Sequence, residues 1–339
     1  MITKSDLEKF DLSGMHKIYD MWPKLAKDAY LSNFPVTSIS NIDHIVIAGM
    51  GGSGAIGDLF SAIFSKNDIH VTLVKGYLLP KTVDSNTLVI TISISGNTVE
   101  TLNILKTAKD MRCKLIAFSS GGQMQEFCKK HDVEFYMIEK IHSPRSSFVT
   151  YVYSMLKILK SIMPITENDV MESISTLENT QKLINSDNLT HSNPSLLLSE
   201  RISNIPSIFY PHGLEAVAIR FKSSLQENAK SHVIIEDVLE SCHNGIVAWE
   251  IPSLLHPILI QGEDDYHKTK ECWLVLKKYF GENNIKYYDV NSVNGNILSK
   301  SIDLIYRLDY VSIYKAIYSK IDPSPIKSID FIKKHINQV

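Results

Sequence analysis

Two short segments rich in glycine and hydroxyl side chains constrain the fold of this chain most. Gly49–Gly54 reads Gly-Met-Gly-Gly-Ser-Gly and follows the apolar, β-branched run 44–48. Ser93–Thr98 reads Ser-Ile-Ser-Gly-Asn-Thr and follows a second such run, 87–92. A helical pattern comes after each segment. A strand, a loop of small residues and a helix together present backbone N–H groups to an anion, so the two loops predict one phosphate site.

Strand and helix patterns alternate through the first half of the chain. The predicted strands are 44–48, 70–74, 87–92, 114–118 and 133–138, and the predicted helices between them are 53–65, 97–111 and 122–131. The strand runs are continuously apolar, which is typical of strands covered on both faces. We therefore expect a doubly wound parallel sheet, with the two loops at the carboxyl ends of its strands.

The second half repeats this alternation more faintly. The predicted strands are 205–210, 257–261 and 285–290, and the predicted helices are 213–229, 265–281, 296–319 and 325–336. The polar stretch 186–193 is the best candidate for a domain boundary. The repeat indicates a duplicated unit. We expect two doubly wound, flavodoxin-like parallel-sheet domains in tandem with flanking helices, covering residues 1–185 and 194–339.

The first loop also matches the dinucleotide fingerprint, with glycines at positions 49, 51 and 54. That interpretation needs a carboxylate at the end of the second strand for the ribose hydroxyl. Here a cation, Lys75, stands at that point instead. Hydroxyl and N–H donors suit a phosphate monoester better, although each loop alone could be an ordinary helix cap. The predicted phosphate-binding residues are Gly52, Ser53, Ser93, Ser95 and Thr98.

Composition and charge exclude several classes of protein. The 339 residues carry a formal net charge of −2 and no block of basic residues, which argues against nucleic acid as a partner. Lys327–Lys334 is expected to be a solvated helical face. The scattered cysteines predict a reducing, cytoplasmic location without disulfides or structural zinc; they are Cys113, Cys128, Cys242 and Cys272. No signal-like segment or apolar run of about 20 residues occurs, so no membrane association is expected.

Further motifs along the chain resemble one family of enzymes. The two loops are similar to those of the sugar isomerase (SIS) domain, and the full set of motifs resembles the bifunctional phosphoglucose/phosphomannose isomerase family. The other motifs are Ser143-Pro-Arg145, Arg220 to Lys230 with Gln-Glu-Asn-Ala-Lys at its end, His243-Asn-Gly to Trp249-Glu250, Asp309 to Tyr314, and Ile321-Asp-Pro-Ser-Pro325. The resemblance implies two SIS domains, a homodimer, and no metal or organic cofactor.

The resemblance also implies a reaction and assigns its residues. The expected reaction interconverts glucose 6-phosphate and fructose 6-phosphate, and also mannose 6-phosphate and fructose 6-phosphate, through a cis-enediol. Glu227 matches the base that moves the proton, and Arg145 matches the cation that steadies the enediolate. His243 matches the ring-opening histidine, which in this family comes from the partner subunit. A sugar-phosphate sensor without catalysis is the alternative, but such a protein would not need Glu227 or His243.

The basic residue expected to assist ring opening departs from the family pattern. Relatives place a small polar residue in the last long helix and a basic residue seven positions later. Ser312 fits the polar position and would leave room for either C2 epimer, but Ser319 stands seven residues further on. Lys320, one residue beyond, is the predicted ring-opening partner of His243. Lys315, one helical turn from Ser312, remains a competing candidate.

Overall fold

The computed structural model describes residues 2–336. Three short helices open the chain: α1 (Lys4–Phe10), α2 (Met15–Asp20) and α3 (Trp22–Tyr30). They precede a parallel sheet whose strands are β1 (His44–Ala48), β2 (His70–Val74), β3 (Thr87–Ser93), β4 (Lys114–Ser119) and β5 (Glu134–Met137). The spatial order is β2-β1-β3-β4-β5. The helices between these strands are α4 (Gly52–Phe64), α5 (Val99–Lys109) and α6 (Gly122–His131).

The second half contains a four-stranded parallel sheet. Its strands are β6 (Ile205–Tyr210), β7 (Ile234–Asp237), β8 (Leu255–Gln261) and β9 (Tyr288–Asn291), in the order β7-β6-β8-β9. That order repeats β2-β1-β3-β4 of the first sheet, as a duplicated unit requires. The associated helices are α9 (Pro194–Arg201), α10 (Glu215–Asn228), α11 (Val238–Ser241) and α12 (His267–Glu282), with a 3₁₀ helix at Gly245–Glu250. The predicted fold class, two parallel α/β units, is confirmed.

The apolar runs behave as their sequence predicts. Every residue of β1 and β3 is buried, because α-helices cover both faces of the central strands. The edge strand β7 was not among the predicted strands. It has only four residues, they are half-buried to exposed, and the run is too short to show a periodicity. Helix α9 was also missed, although Asn193 caps it and Pro194 occupies its first turn.

Long helices join the two halves around one hydrophobic core. They are α7 (Phe148–Ile158), α8 (Glu167–Ile184) and α13 (Ile297–Tyr318), and a last helix, α14 (Lys327–Ile336), follows them. Helix α13 is buried along most of its length and packs against helices from both halves. Trp22 of α3 stacks on Tyr306 of α13, with ring centroids 5.4 Å apart. The amino-terminal helices therefore pack on the carboxyl-terminal half as well as on their own.

The second half of the chain brings two cysteine side chains together. The Sγ atoms of Cys242 and Cys272 lie 3.2 Å apart as free thiols, beside the aromatic cluster of the second sheet.

Between residues 2 and 336, no helix combines the length and apolar character needed to cross a membrane. Within the same range, no group of three or more His, Cys, Asp or Glu side chains is arranged to hold a metal ion.

Candidate active site

The two glycine- and hydroxyl-rich loops meet at the carboxyl ends of adjacent strands. β1 pairs with β3 so that Ala48 lies opposite Thr91, and the loop after each strand therefore starts at the same edge. The backbone N–H of Ile94 in the second loop donates to Ser53 Oγ in the first, at 3.3 Å. Gly51 adopts a left-handed backbone (φ +54°) as the chain turns into α4. The loops thus form one continuous surface at two helix amino termini.

The second loop is held by its own hydroxyl groups. Ser93 Oγ donates to Thr98 Oγ1 at 2.9 Å, and the N–H of Asn97 donates to Ser95 Oγ at 3.3 Å. Ser53, Ser95 and Thr98 line the cleft beside the loops, as does Gly52. Ser93 is fully buried and does not line it. Among the predicted phosphate-binding residues, Ser93 therefore forms a hydrogen bond with Thr98 and does not itself reach the cleft.

The cleft has a volume of about 690 Å³ and three walls. The two loops form one wall, and Arg145 and Glu227 lie on another. The third wall is one face of α14, the segment expected to be a solvated helical face. Every residue of α14 is exposed, as expected, but the face that carries its isoleucines and Lys333 also borders the cleft. The last helix of the described chain therefore borders the cleft that the two phosphate loops line.

Arg145 holds the side chain of Glu227 in the cleft. Arg145 Nη1 donates to Glu227 Oε2 at 3.0 Å, and Nη2 donates to the carbonyl oxygens of Pro323 and Ser324 at 2.7 and 2.9 Å. The Arg145 side chain is 4% exposed and that of Glu227 is 24% exposed. Within the described residues, Arg145 Nε is buried and has no hydrogen-bond partner. A fixed guanidinium therefore stands beside a carboxylate that remains open to the cleft.

A buried ion pair supports Arg145 from behind. Arg220 on α10 binds Asp309 on α13, with Nη2 2.6 Å from Oδ2, and both side chains are at most 3% exposed. Arg220 Nη2 also donates to the carbonyl oxygen of Arg145 at 2.7 Å. Burial opposes the charge on Arg220, but the Asp309 carboxylate outweighs it and raises the pKa of the guanidinium. Tyr19 of α2 donates to Asp309 at 3.1 Å, and burial raises the pKa of this tyrosine.

Glu227 occupies the end of α10, where its helix leaves the core. The apolar stripe of α10 is buried, while Glu227 lies one residue before the helix ends at Asn228. Lys230, just beyond, donates from Nζ to the carbonyl oxygens of Glu227 and Pro325, at 2.5 and 2.8 Å. Burial and the nearby Arg145 charge lower the pKa of Lys230. The sequence assigned no role to Lys230, although its position three residues after Glu227 could have indicated a contact with that residue.

The remaining predicted site residues lie outside the cleft of this chain. His243 is exposed after α11, at the carboxyl edge of the second sheet. Lys320 is exposed just after α13, with a left-handed backbone (φ +58°). Lys315 donates to the carbonyl oxygen of Ile202, and burial lowers its pKa. None of the three lines the cleft formed with the phosphate loops.

Ser312 is fully buried, and its hydroxyl is already engaged. Its Oγ donates to the carbonyl oxygen of Asp309 at 2.6 Å and accepts from Asn228 Nδ2 at 2.8 Å. Asn228 directly follows Glu227, and within the described part of the chain its buried Oδ1 has no partner. Ser312 therefore contacts Asn228, the residue that follows the candidate base in sequence, and does not line the cleft itself.

Comparison with known families matches both halves of the chain. The model of the SIS domain matches residues 38–163. The model described as the bacterial phospho-glucose isomerase C-terminal SIS domain matches residues 191–336. The first match contains both phosphate loops and Arg145, and the second contains Glu227 and His243. The two matches correspond to the two parallel sheets.

Solved structures share this architecture at low sequence identity. A hypothetical protein from Thermus thermophilus superposes with a TM-score of 0.73 at 14% identity, covering 99% of this chain and 92% of its own. At that identity the likeness concerns the fold alone.

Curated relatives align over most of the chain. A bifunctional phosphoglucose/phosphomannose isomerase of Caldicellulosiruptor bescii is 31% identical over 88% of this chain and 91% of its own length. The protein of the same name from Aquifex aeolicus is 28% identical over 94% of each. A D-glucosamine-6-phosphate 4-epimerase of Sulfolobus acidocaldarius is 28% identical over 68% of this chain and 72% of its own length. Together with the domain matches, these alignments show that the chain belongs to the bifunctional phosphoglucose/phosphomannose isomerase family, a family of isomerase enzymes.

Proposed function

We propose that this protein interconverts glucose 6-phosphate and fructose 6-phosphate, and also mannose 6-phosphate and fructose 6-phosphate. One observation carries the proposal: the Arg145–Glu227 pair, 3.0 Å apart, opens into the same cleft as the two phosphate loops. A sugar phosphate anchored on the loops would reach from them toward a carboxylate held by a guanidinium. The relatives named for these two activities support the same substrates.

The chemistry follows from these two side chains. Aldose–ketose isomerisation moves a proton between C2 and C1 through a cis-enediol, so it needs a base that takes the proton and returns it. Glu227 is that base in the proposal. As the proton leaves, negative charge develops on the sugar oxygens, and the fixed guanidinium of Arg145 stabilises it without reorganising. The loop donors Gly52, Ser53, Ser95 and Thr98 bind the phosphate and set the distance to the carboxylate.

Ring opening is assigned to residues that lie outside the cleft. His243 is exposed, so a partner subunit in a homodimer can contribute it to the cleft of the first subunit. An imidazole side chain can serve both as a proton donor and as a proton acceptor. Lys320 is the proposed second group, with Lys315 the competitor. Ser312, which lies behind Asn228, is proposed to leave room for either C2 epimer because its side chain is small. We infer a cytoplasmic homodimer that needs no cofactor.

The test is a coupled assay that starts from fructose 6-phosphate and measures glucose and mannose 6-phosphates separately. Glu227→Gln should abolish turnover while binding of glucitol 6-phosphate, an open-chain analogue that cannot isomerise, is retained. Glu215→Gln, at the other end of the same helix, is the matched control and should keep turnover.

Exchange of the C2 proton with solvent identifies the chemistry. Exchange in the wild-type protein that disappears in Glu227→Gln is the expected result. Binding of sugar phosphate with no exchange would instead indicate a sensor, and epimerisation of glucosamine 6-phosphate at C4 would indicate the reaction named for the Sulfolobus relative. Normal turnover by Glu227→Gln would show that another group is the base.

A further inference from the structure

The phosphate loops offer only neutral groups to a ligand that carries close to two negative charges. Ser53, Ser95 and Thr98 supply hydroxyls, and the adjoining backbone supplies N–H groups. Lys75, beside the first loop, is already paired with the buried Asp58 at 2.6 Å. Charge-assisted hydrogen bonds to phosphate are about twice as strong as neutral ones. The loops alone therefore leave much of the phosphate charge uncompensated.

The other charged groups on the cleft walls do not supply the missing cation. The guanidinium of Arg145 is shared among Glu227 and the carbonyl oxygens of Pro323 and Ser324. Glu100, at the start of α5, adds a negative charge, and its carboxylate raises the pKa of the neighbouring Tyr77. A phosphate that enters beside Glu100 meets repulsion as well as the neutral donors.

Lys333 is the cation that remains. Among the described residues it is the one lysine that lines the cleft, and its ammonium group forms no ion pair or hydrogen bond with any other residue in that range. It shares a face of α14 with Ile329, Ile332 and Ile336, which follow the spacing of one helical face. Ile332 and Ile336 are 56% and 54% exposed, so this face meets the cleft without being packed against it.

We propose that Lys333 binds the substrate phosphate and that α14 covers the phosphate end of the cleft when substrate is bound. The ammonium group would compensate the charge that the loops leave, and the isoleucines beside it would shield the phosphate from water. This inference rests on the proposed function for the identity of the sugar phosphate, but the phosphate contact itself can be measured without turnover.

The experiment compares Lys333→Gln with Lys334→Gln. Lys334 is the next residue on the same helix, carries the same charge and does not line the cleft, so it controls for net charge and for helix stability. Binding of glucitol 6-phosphate and of inorganic phosphate is measured by calorimetry, and fructose 6-phosphate turnover is measured in parallel. Lys333→Gln should weaken both ligands by roughly tenfold, as expected for loss of one charge-assisted hydrogen bond.

The kinetic signature separates binding from catalysis. Lys333→Gln should raise KM by the same factor and leave kcat nearly unchanged, because Glu227 and Arg145 are untouched. Lys333→Arg should restore most of the affinity. Wild-type affinity in Lys333→Gln, or an equal loss in Lys334→Gln, would overturn the assignment. Phosphate binding that depends on Lys333 in a protein without isomerase activity would instead reject the proposed function and leave the phosphate contact in place.

Discussion

Arg145 is the residue on which the geometry of the candidate site depends. Its guanidinium uses one terminal nitrogen for Glu227 and the other for two backbone carbonyls of the segment that leads into α14. Its own carbonyl accepts from Arg220. An arginine presents donors in a fixed planar fork, whereas a lysine offers a single flexible ammonium group. The identity of this residue, and not only its charge, should therefore matter.

Arg145→Lys is expected to lower kcat by roughly a hundredfold, which is the usual cost of losing one donor that stabilises a developing oxyanion. The charge is kept, so a loss of this size would come from geometry. Lys230→Arg is the comparison variant, since Lys230 lies beside the same pair but contacts backbone oxygens only. Steady-state kinetics with fructose 6-phosphate measures both, and near-normal kcat in Arg145→Lys would contradict the proposed role.

The second phosphate loop keeps its shape through a close approach to the loop after β4. Gly96 has a left-handed backbone (φ +71°), and a Cβ at this position would lie 1.8 Å from the carbonyl oxygen of Gly121. That oxygen belongs to the loop before α6. Only a residue without a side chain fits, so the loop after β3 and the loop after β4 fix each other.

Gly96→Ala should destabilise the protein by about 1–3 kcal/mol through overpacking, in addition to the backbone strain. Gly213→Ala is a matched control, because Gly213 is also left-handed (φ +96°) but has nothing within 4 Å of the added Cβ. It should show only the backbone cost of about 1–2 kcal/mol. Urea denaturation midpoints compare the two variants. Equal midpoints would show that the loop after β4 moves aside for the added Cβ without lowering the free energy of unfolding.

Sequence reasoning reached those elements whose signal is local. The apolar runs of β1 and β3 and the loops after them predicted the first sheet and its phosphate site, because burial on both faces leaves a pattern within a few residues. The pairing of Arg220 with Asp309, 89 residues apart, leaves no such pattern. The position of α14 beside the cleft was also not predicted, since an exposed amphipathic helix has the same sequence pattern whether it faces bulk water or a cleft.

The proposed active site is divided between two subunits. Glu227 lies in the cleft of its own chain, and His243 is exposed away from it. If His243 serves the partner's cleft, then each cleft needs one residue from each chain. A symmetric dimer of this kind has a property that a site within one chain lacks, namely that two inactive variants can complement each other.

Glu227→Gln and His243→Ala should each be inactive alone but regain about a quarter of wild-type activity when coexpressed in equal amounts. Half of the randomly assembled dimers are mixed, and one of the two clefts in each mixed dimer has both residues intact. The assay is fructose 6-phosphate turnover per subunit in purified mixtures. No recovery, with mixed dimers present by mass spectrometry, would show that His243 does not act across the interface.

Cys242 and Cys272 lie close enough to form a disulfide when the purified protein is oxidised. A small disulfide used as oxidant at mildly alkaline pH should remove two electrons and two protons from this pair and form a Cys242–Cys272 disulfide. Cys113 and Cys128 should stay as thiols. Reaction should be slow at neutral pH and faster as pH rises, because burial and the neighbouring thiol raise the pKa of Cys242 to about 12. Peptide mapping by mass spectrometry identifies the linked pair.

Once formed, that bond would restrict the unfolded chain more than the folded one. Closing a segment of 30 residues lowers the entropy of the unfolded chain enough to stabilise the folded state by about 3–4 kcal/mol. Urea midpoints of the oxidised and reduced protein measure the difference, and Cys242→Ser should remove it. An unchanged midpoint after complete oxidation would mean that the bond strains the native packing by as much as it restricts the unfolded chain.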